Sequence, residues 1–140
     1  MPPATRGVAT PCCSPALHGC RTFPGRRDQV GAARGFVQSV LDTCPSGNDA
    51  VLLTSELAAN AVLHTASGDG GSFRVAVRHT DRLTRVEVTD DGSVTIPTVG
   101  ANGWFDVSAR GLFLVSMVAS HWGHDGDSSA RQVWFELDCG

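Results

Sequence analysis

Between Asn48 and His64 the chain reads Asn-Asp-Ala-Val-Leu-Leu-Thr-Ser-Glu-Leu-Ala-Ala-Asn-Ala-Val-Leu-His, and Glu56, Asn60 and His64 interrupt an otherwise mostly apolar run at intervals of four. At about 100° per residue, these three positions form a stripe roughly 80° wide on a helix. Val51, Leu52, Leu53, Leu57, Ala58, Ala61, Val62 and Leu63 cover most of the remainder. A helix apolar nearly all round is predicted to be buried. A carboxylate and a carboxamide buried along it cost on the order of several kcal/mol unless paired, so the stripe is expected to face a cavity that holds water, a metal or a ligand.

The same patterning assigns the other elements. Leu17 to Phe23 reads as a short edge strand. From Asp28, a plausible N-cap, Val30, Ala33, Val37, Val40 and Leu41 recur at helical spacing. Thr43-Cys44-Pro45-Ser46-Gly47 ends that helix, because Pro45 biases Cys44 away from the helical region, and Ser46 with Asp49 resembles a capping box for the next one. After turn-forming residues 66–71, Phe73, Val75 and Val77 alternate with Arg74 and Arg78, and Val86 and Val88 with Arg85 and Glu87. These two runs flank a polar turn around Asp81 and predict a hairpin. Residues 91–108 contain Gly, Pro and Asn without a period, and a loop of that length in a compact domain is usually functional. A third helix is predicted from Arg110 to about Trp122, stopped by Gly123, then a polar turn over 124–130 and a closing strand from Arg131 to Leu137 with Val133, Phe135 and Leu137 inward.

This order predicts an α+β fold: a two-layer sandwich with a mixed, mostly antiparallel sheet covered on one face by three helices. Residues 1–15 read as a tail, and 16–140 as one domain. The length of 140 residues suffices for a real core. A net charge of −3 gives no electrostatic case for direct nucleic-acid binding, and no apolar run reaches membrane-spanning length. Without an export signal the default expectation is a cytoplasmic chain. Five cysteines (Cys12, Cys13, Cys20, Cys44, Cys139) at no recognisable spacing predict reduced thiols. All 11 basic residues are Arg. The absence of Lys closes the P-loop, the strand lysine of eukaryotic-type kinases and Schiff-base chemistry.

Three further places carry candidate chemistry. Asp90, at the end of Val88-Thr89-Asp90-Asp91-Gly92, shares strand parity with Val86 and Val88 and so is expected to point into the helix layer. Gly92 allows a turn or the close approach of a flat ligand; the alternative is that the segment is simply a turn. Ser108-Ala109-Arg110-Gly111-Leu112 opens the third helix, where backbone N–H groups and the helix dipole favour phosphate. His121, His124 and Asp125 have a spacing that could suggest a metal, but solvated surface fits a helix end beside a turn better.

Glu56-Leu-Ala-Ala-Asn60-Ala-Val-Leu-His64, Val88-Thr-Asp90-Asp-Gly92 and Arg110-Gly111-Leu112-Phe-Leu-Val115 with His121-Trp122-Gly123, in that order, resemble the N box and two glycine boxes of the Bergerat-fold ATPases, the superfamily of gyrase and histidine-kinase ATP-binding domains. The closest resemblance is to the small bacterial anti-sigma factor serine/threonine kinases and stand-alone relatives, from about Phe23 to Leu137. It implies ATP and Mg²⁺ as cofactors, Asn60 on the metal, Asp90 on the adenine amino group, residues 93–109 as a lid and Glu56 as the catalytic base. His64, Gly92, Ala109, Arg110, Gly111 and Leu112 complete the nucleotide site. The family usually has Gly where this chain has Ala109, and no phosphoacceptor-histidine helix is recognisable.

The resemblance implies an anti-sigma factor that phosphorylates its antagonist, with a sigma factor and that antagonist protein as partners, no membrane, and homodimerisation left open. The alternative is a module of the same fold that sequesters a partner without phosphorylating it. A third reading makes Glu56 and Asn60 a structural hydrogen-bond network.

Overall fold

The computed structural model describes residues 19–64, 70–80, 82–91, 107–126 and 130–138, with the backbone alone at His64 and 107–111. Five strands form one sheet: β1 (Gly19–Pro24), β2 (Ser72–His79), β3 (Leu83–Asp90), β4 (His121–Gly126) and β5 (Arg131–Asp138). Their order is β1-β2-β3-β5-β4, and every neighbouring pair is antiparallel. The sheet is therefore wholly antiparallel where a mixed one was expected. Helices α1 (Val30–Val40), α2 (Gly47–His64) and α3 (Val107–Val118) supply the second layer, and a single core joins them to the sheet. The expected α+β two-layer architecture is present.

Alternation sorts each strand into an inward and an outward row. Phe23, Phe73, Val75, Val77, Val86, Val88, Val133, Phe135 and Leu137 point inward and are buried against Ala33, Val37 and Leu41 of the first helical segment, Leu53, Leu57, Ala58 and Ala61 of α2, and Leu112 and Val115 of α3. Phe23 stacks on Phe73 with ring centroids 5.3 Å apart and meets Phe36 edge-on at 6.0 Å, fixing α1 over the β1–β2 edge. The hairpin register sets Val77 opposite Val86, as the alternating runs imply.

Several local expectations need correction. Asp28 does not cap α1: it lies in a 3-10 turn, Arg27–Gln29, and pairs with Arg26 at 3.1 Å, while Gln29 occupies the cap position without a side-chain bond. Ser46 does stand at the start of α2, but its hydroxyl donates to the Asp138 carbonyl and so fastens the helix to β5. Gly47 lets α2 start hard against the end of α1, since a Cβ there would meet the Leu41 carbonyl oxygen at 2.7 Å.

The third helix starts at Val107 and ends at Val118, and residues 121–126, read as the end of that helix and the start of a polar turn, form the strand β4, while 127–129 lie outside the described residues. Leu112, Val115, Ala119 and Trp122 keep helical spacing because all four pack on the same core. The Ala119 N–H closes the helix on the Val115 carbonyl, and the Ser120 N–H donates at 2.8 Å to the Glu136 carbonyl, which starts the strand pairing.

Helix α2 is not apolar-buried all round. Leu52 and Leu63 are 45% and 44% exposed, because a two-layer fold leaves the outer side of its helices in water. The expectation of uniformly reduced thiols also fails, since Cys20 and Cys44 are each disulfide-bonded. The tail over 1–15, Asp81 and most of the loop over 91–108 lie outside the described residues.

Thr54 of α2 is fully buried, and its hydroxyl makes no hydrogen bond. An unpaired buried hydroxyl costs about 1–3 kcal/mol. Thr54→Val, which keeps the shape and removes the polar atom, is expected to raise the stability by about 1 kcal/mol in urea unfolding; a destabilised variant would mean that the hydroxyl has a partner.

Candidate functional site

Glu56 and Asn60 lie one turn apart on α2, about 6 Å along its axis, and both are half-buried. By helical angle they fall on the flank between the exposed Leu52–Leu63 side and the buried row of Leu53, Leu57 and Ala61. The stripe is thus at the margin of the core, accessible from one side, rather than sealed within it. His64 is the last residue of the helix, and its side chain lies outside the description.

Asp90 sits where strand parity puts it. It ends β3 in the same inward row as Thr84, Val86 and Val88, and it is 8% exposed. Its placement relative to α2 follows from a joint at the other end of β3. There the Cys44 Sγ lies 3.5 Å from the Thr84 hydroxyl, and α2 starts three residues after Cys44. From Thr84 to Asp90 is roughly 20 Å of strand, and from Gly47 to Asn60 roughly 20 Å of helix. Helix α2 packs on β3, and Asp90 is turned toward the helix layer.

The two acidic residues at this strand end have separate tasks. Asp91 accepts a 2.9 Å hydrogen bond from the Ser72 backbone N–H and locks the start of β2 to the end of β3. Asp90 faces Arg131, its register partner on β5, with the Arg131 Nε 3.5 Å from a carboxylate oxygen and both side chains about nine-tenths buried. Sequence reasoning missed Arg131. A signal was present, since Val133, Phe135 and Leu137 were read as inward and Arg131 shares their parity.

Because α3 starts at Val107, the first-turn N–H groups belong to Val107, Ser108 and Ala109, and Arg110 and Gly111 follow at the end of that turn. The side chains of Ala109, Arg110 and Gly111 are outside the description, as are Gly92 and the rest of the expected lid up to residue 106. Leu112 is a core residue, 1% exposed, so only its backbone is available to a ligand. Helix α3 packs on α2. His121 and Asp125 point outward and His124 inward on β4, and among the described residues no cluster of three His, Cys, Asp or Glu could hold a metal.

Compared with known proteins, the chain matches no family model and no curated protein.

An ion pair this deep couples its members. Asp90→Asn leaves the Arg131 guanidinium facing a neutral amide and is expected to cost about 2 kcal/mol of unfolding free energy. In an Arg131→Gln background the same change should cost less than half as much. Equal costs in the two backgrounds, measured by urea denaturation, would show that the pair carries no coupling.

Proposed function

We propose that this chain is an ATP-binding anti-sigma factor that phosphorylates a serine or threonine of its antagonist protein, with the sigma factor as its second partner and the cytoplasm as its place of action. The observations that support the reading are the half-buried Glu56–Asn60 stripe on α2 and the buried carboxylate of Asp90, turned toward the helix layer at the end of β3. These are the positions that the likeness to the Bergerat-fold kinases assigns to base, metal and adenine.

The residues fit the cofactors the reading requires. The Asn60 carboxamide offers a single neutral oxygen, suited to Mg²⁺, which takes hard oxygen ligands and keeps several from waters and substrate phosphates. Mg²⁺ would supply charge neutralisation across the phosphate oxygens. The Asp90 carboxylate accepts from the exocyclic amine of adenine. Backbone N–H groups of Val107 to Ala109 face the phosphates at a helix N-terminus, and Arg110 adds a positive charge that no lysine in this chain can supply. Glu56 takes the proton of the partner's hydroxyl as the oxygen attacks.

The sequestering module remains the second reading, and Arg131 favours it. A guanidinium already paired with Asp90 competes with the adenine amine for the carboxylate.

Two variants separate the readings. Asn60→Ala is expected to lose the Mg²⁺-dependent part of ATP affinity in calorimetry; ATP bound as tightly as by wild type in Mg²⁺ would refute the metal assignment. Glu56→Gln keeps the shape of the side chain but cannot accept a proton. It should bind ATP and hold the sigma factor normally while phosphorylating the antagonist about 10²–10⁴ times more slowly. Wild-type protein that binds both partners and transfers no radiolabelled phosphate would leave the sequestering module as the function.

A further inference from the structure

The described helices pack on the inner row of the sheet, and the strand register sorts the outer row into levels. On the first level Arg78, Arg85, Glu136 and His121 stand side by side on β2, β3, β5 and β4. The next level runs Ala76, Glu87, Trp134 and Gly123, and the third Arg74, Thr89, Gln132 and Asp125. Charge is divided across these levels. Basic side chains, Arg74 and Arg78, hold β2, and carboxylates, Glu136 and Asp125, hold β5 and β4, while on β3 between them Arg85 pairs with Glu87 at 2.9 Å.

A face divided in this way complements itself about an axis parallel to its strands. When two copies stack face to face about a two-fold axis along β3, β2 of one lies over β5 of the other and every level stays in line. Arg78 then faces Glu136 of the second copy, and Arg74 faces its Gln132–Asp125 end. A two-fold axis across the strands would lay β2 over β2 and arginine over arginine. Shape selects the same axis, because it sets the bulky Trp134 over the small Ala76. Arg85 meets its own copy on the axis, but Glu87 and Glu136 hold it at 2.9 and 3.2 Å within each chain. We propose that the outer sheet face joins two copies of this chain into a homodimer, with Arg74 and Arg78 of each set against Asp125 and Glu136 of the other.

The face is large enough for this. Its five strands, of six to eight residues each, lie about 4.8 Å apart and rise about 3.4 Å per residue, which gives a flat area of roughly 600 Å²; a standard interface takes about 800 Å² of side-chain-contoured surface per partner. Trp and Arg, which sit near the middle of the face as Trp134 and Arg85, are the residue types that most often anchor interfaces. In such a dimer the sheets close on each other and the helix layers face outward, so the half-buried Glu56 and Asn60 of both copies stay open to solvent.

The test reads mass without nucleotide, so its outcome is independent of the proposed kinase activity. Full-length protein at about 100 μM, above the Kd of a standard-sized interface, is expected to sediment with the mass of two chains in analytical ultracentrifugation. Arg74→Glu and Asp125→Arg each bring like charges together twice across the two-fold axis, and each should raise the dimer Kd at least about tenfold. Mixed in equal amounts, the two variants should recover the two-chain mass, because the introduced carboxylate of one meets the introduced guanidinium of the other while the native pair forms at the second contact. Raising the salt from about 0.05 to 1 M should shift the wild type toward single chains, a readout that needs no variant. A wild type of single-chain mass, which would leave the face to a different protein, overturns the proposal. So does a dimer indifferent to salt, or a pair of folded variants that stay apart on mixing.

Discussion

The central strand β3, paired along its whole length with β2 on one side and β5 on the other, is the constraint that orders everything else in this molecule. With both edges occupied, its register cannot slide without breaking two ladders. The register decides which residues look at the helices: Thr84, Val86, Val88 and Asp90 form one row, and Arg85 and Glu87 the other. A slip of one residue would turn Asp90 to the outside and put Glu87 under α2. The buried row Val77–Val86–Phe135, each side chain fully buried, opposes such a slip, since every apolar side chain returned to water costs about 1.5–3 kcal/mol.

The outer face carries a second set of interactions that the same register imposes. Arg85 Nε donates to Glu87 at 2.9 Å and its terminal nitrogen to Glu136 at 3.2 Å, while the guanidinium lies 4.1 Å from the centre of the Trp134 ring. Trp134 has room for this stack because its neighbour on β4 is Gly123, where a Cβ would come within 2.7 Å of the ring. Glu87 is therefore nearly buried although no helix covers it. One arginine satisfies two carboxylates that would otherwise repel each other across the ladder, and its planar fork suits the task better than an ammonium would.

Period-two alternation was legible wherever it ran uninterrupted: the β2–β3 hairpin, the inward parity of Asp90 and the closing strand all follow from it. Periodicity misled at 119–122, where the helical spacing of core contacts continues through the chain's exit from α3, because packing on a common core does not record which backbone bonds carry it. Exposure of Leu52 and Leu63 was illegible for a different reason. An apolar residue on the outer side of a helix carries no mark of having no neighbour layer. The candidate site was legible as residue types and parities: Asp90 does turn toward the helix layer, and Glu56 and Asn60 are half-buried on α2. The Arg131 contact required knowing that β5, distant in sequence, pairs with β3 in the register that joins residue 131 to residue 90. Disulfide bonding at Cys20 and Cys44 likewise depends on tertiary neighbours that cysteine spacing alone does not reveal.

The Asp90–Arg131 pair bears on the proposed chemistry in two opposed ways. A guanidinium at 3.5 Å gives the carboxylate an ionic partner at the cost of desolvating both groups, and that cost is met during folding. Against this, the guanidinium competes with an adenine amine for the carboxylate, although a carboxylate has acceptor positions for more than one donor. On the proposed reading Arg131 then acts as a positioning residue, holding the acceptor rigid in a water-poor layer where a fixed dipole is worth more than a mobile one. The pair also joins the end of β3 to the start of β5, while Ser46 and Asp138 join the other end of β5 to the root of α2. Strand β5 thereby links the Asp90 end of β3 to the root of the helix that carries Glu56 and Asn60, so a change in how either end of that strand is held passes between them through packed backbone rather than through loops.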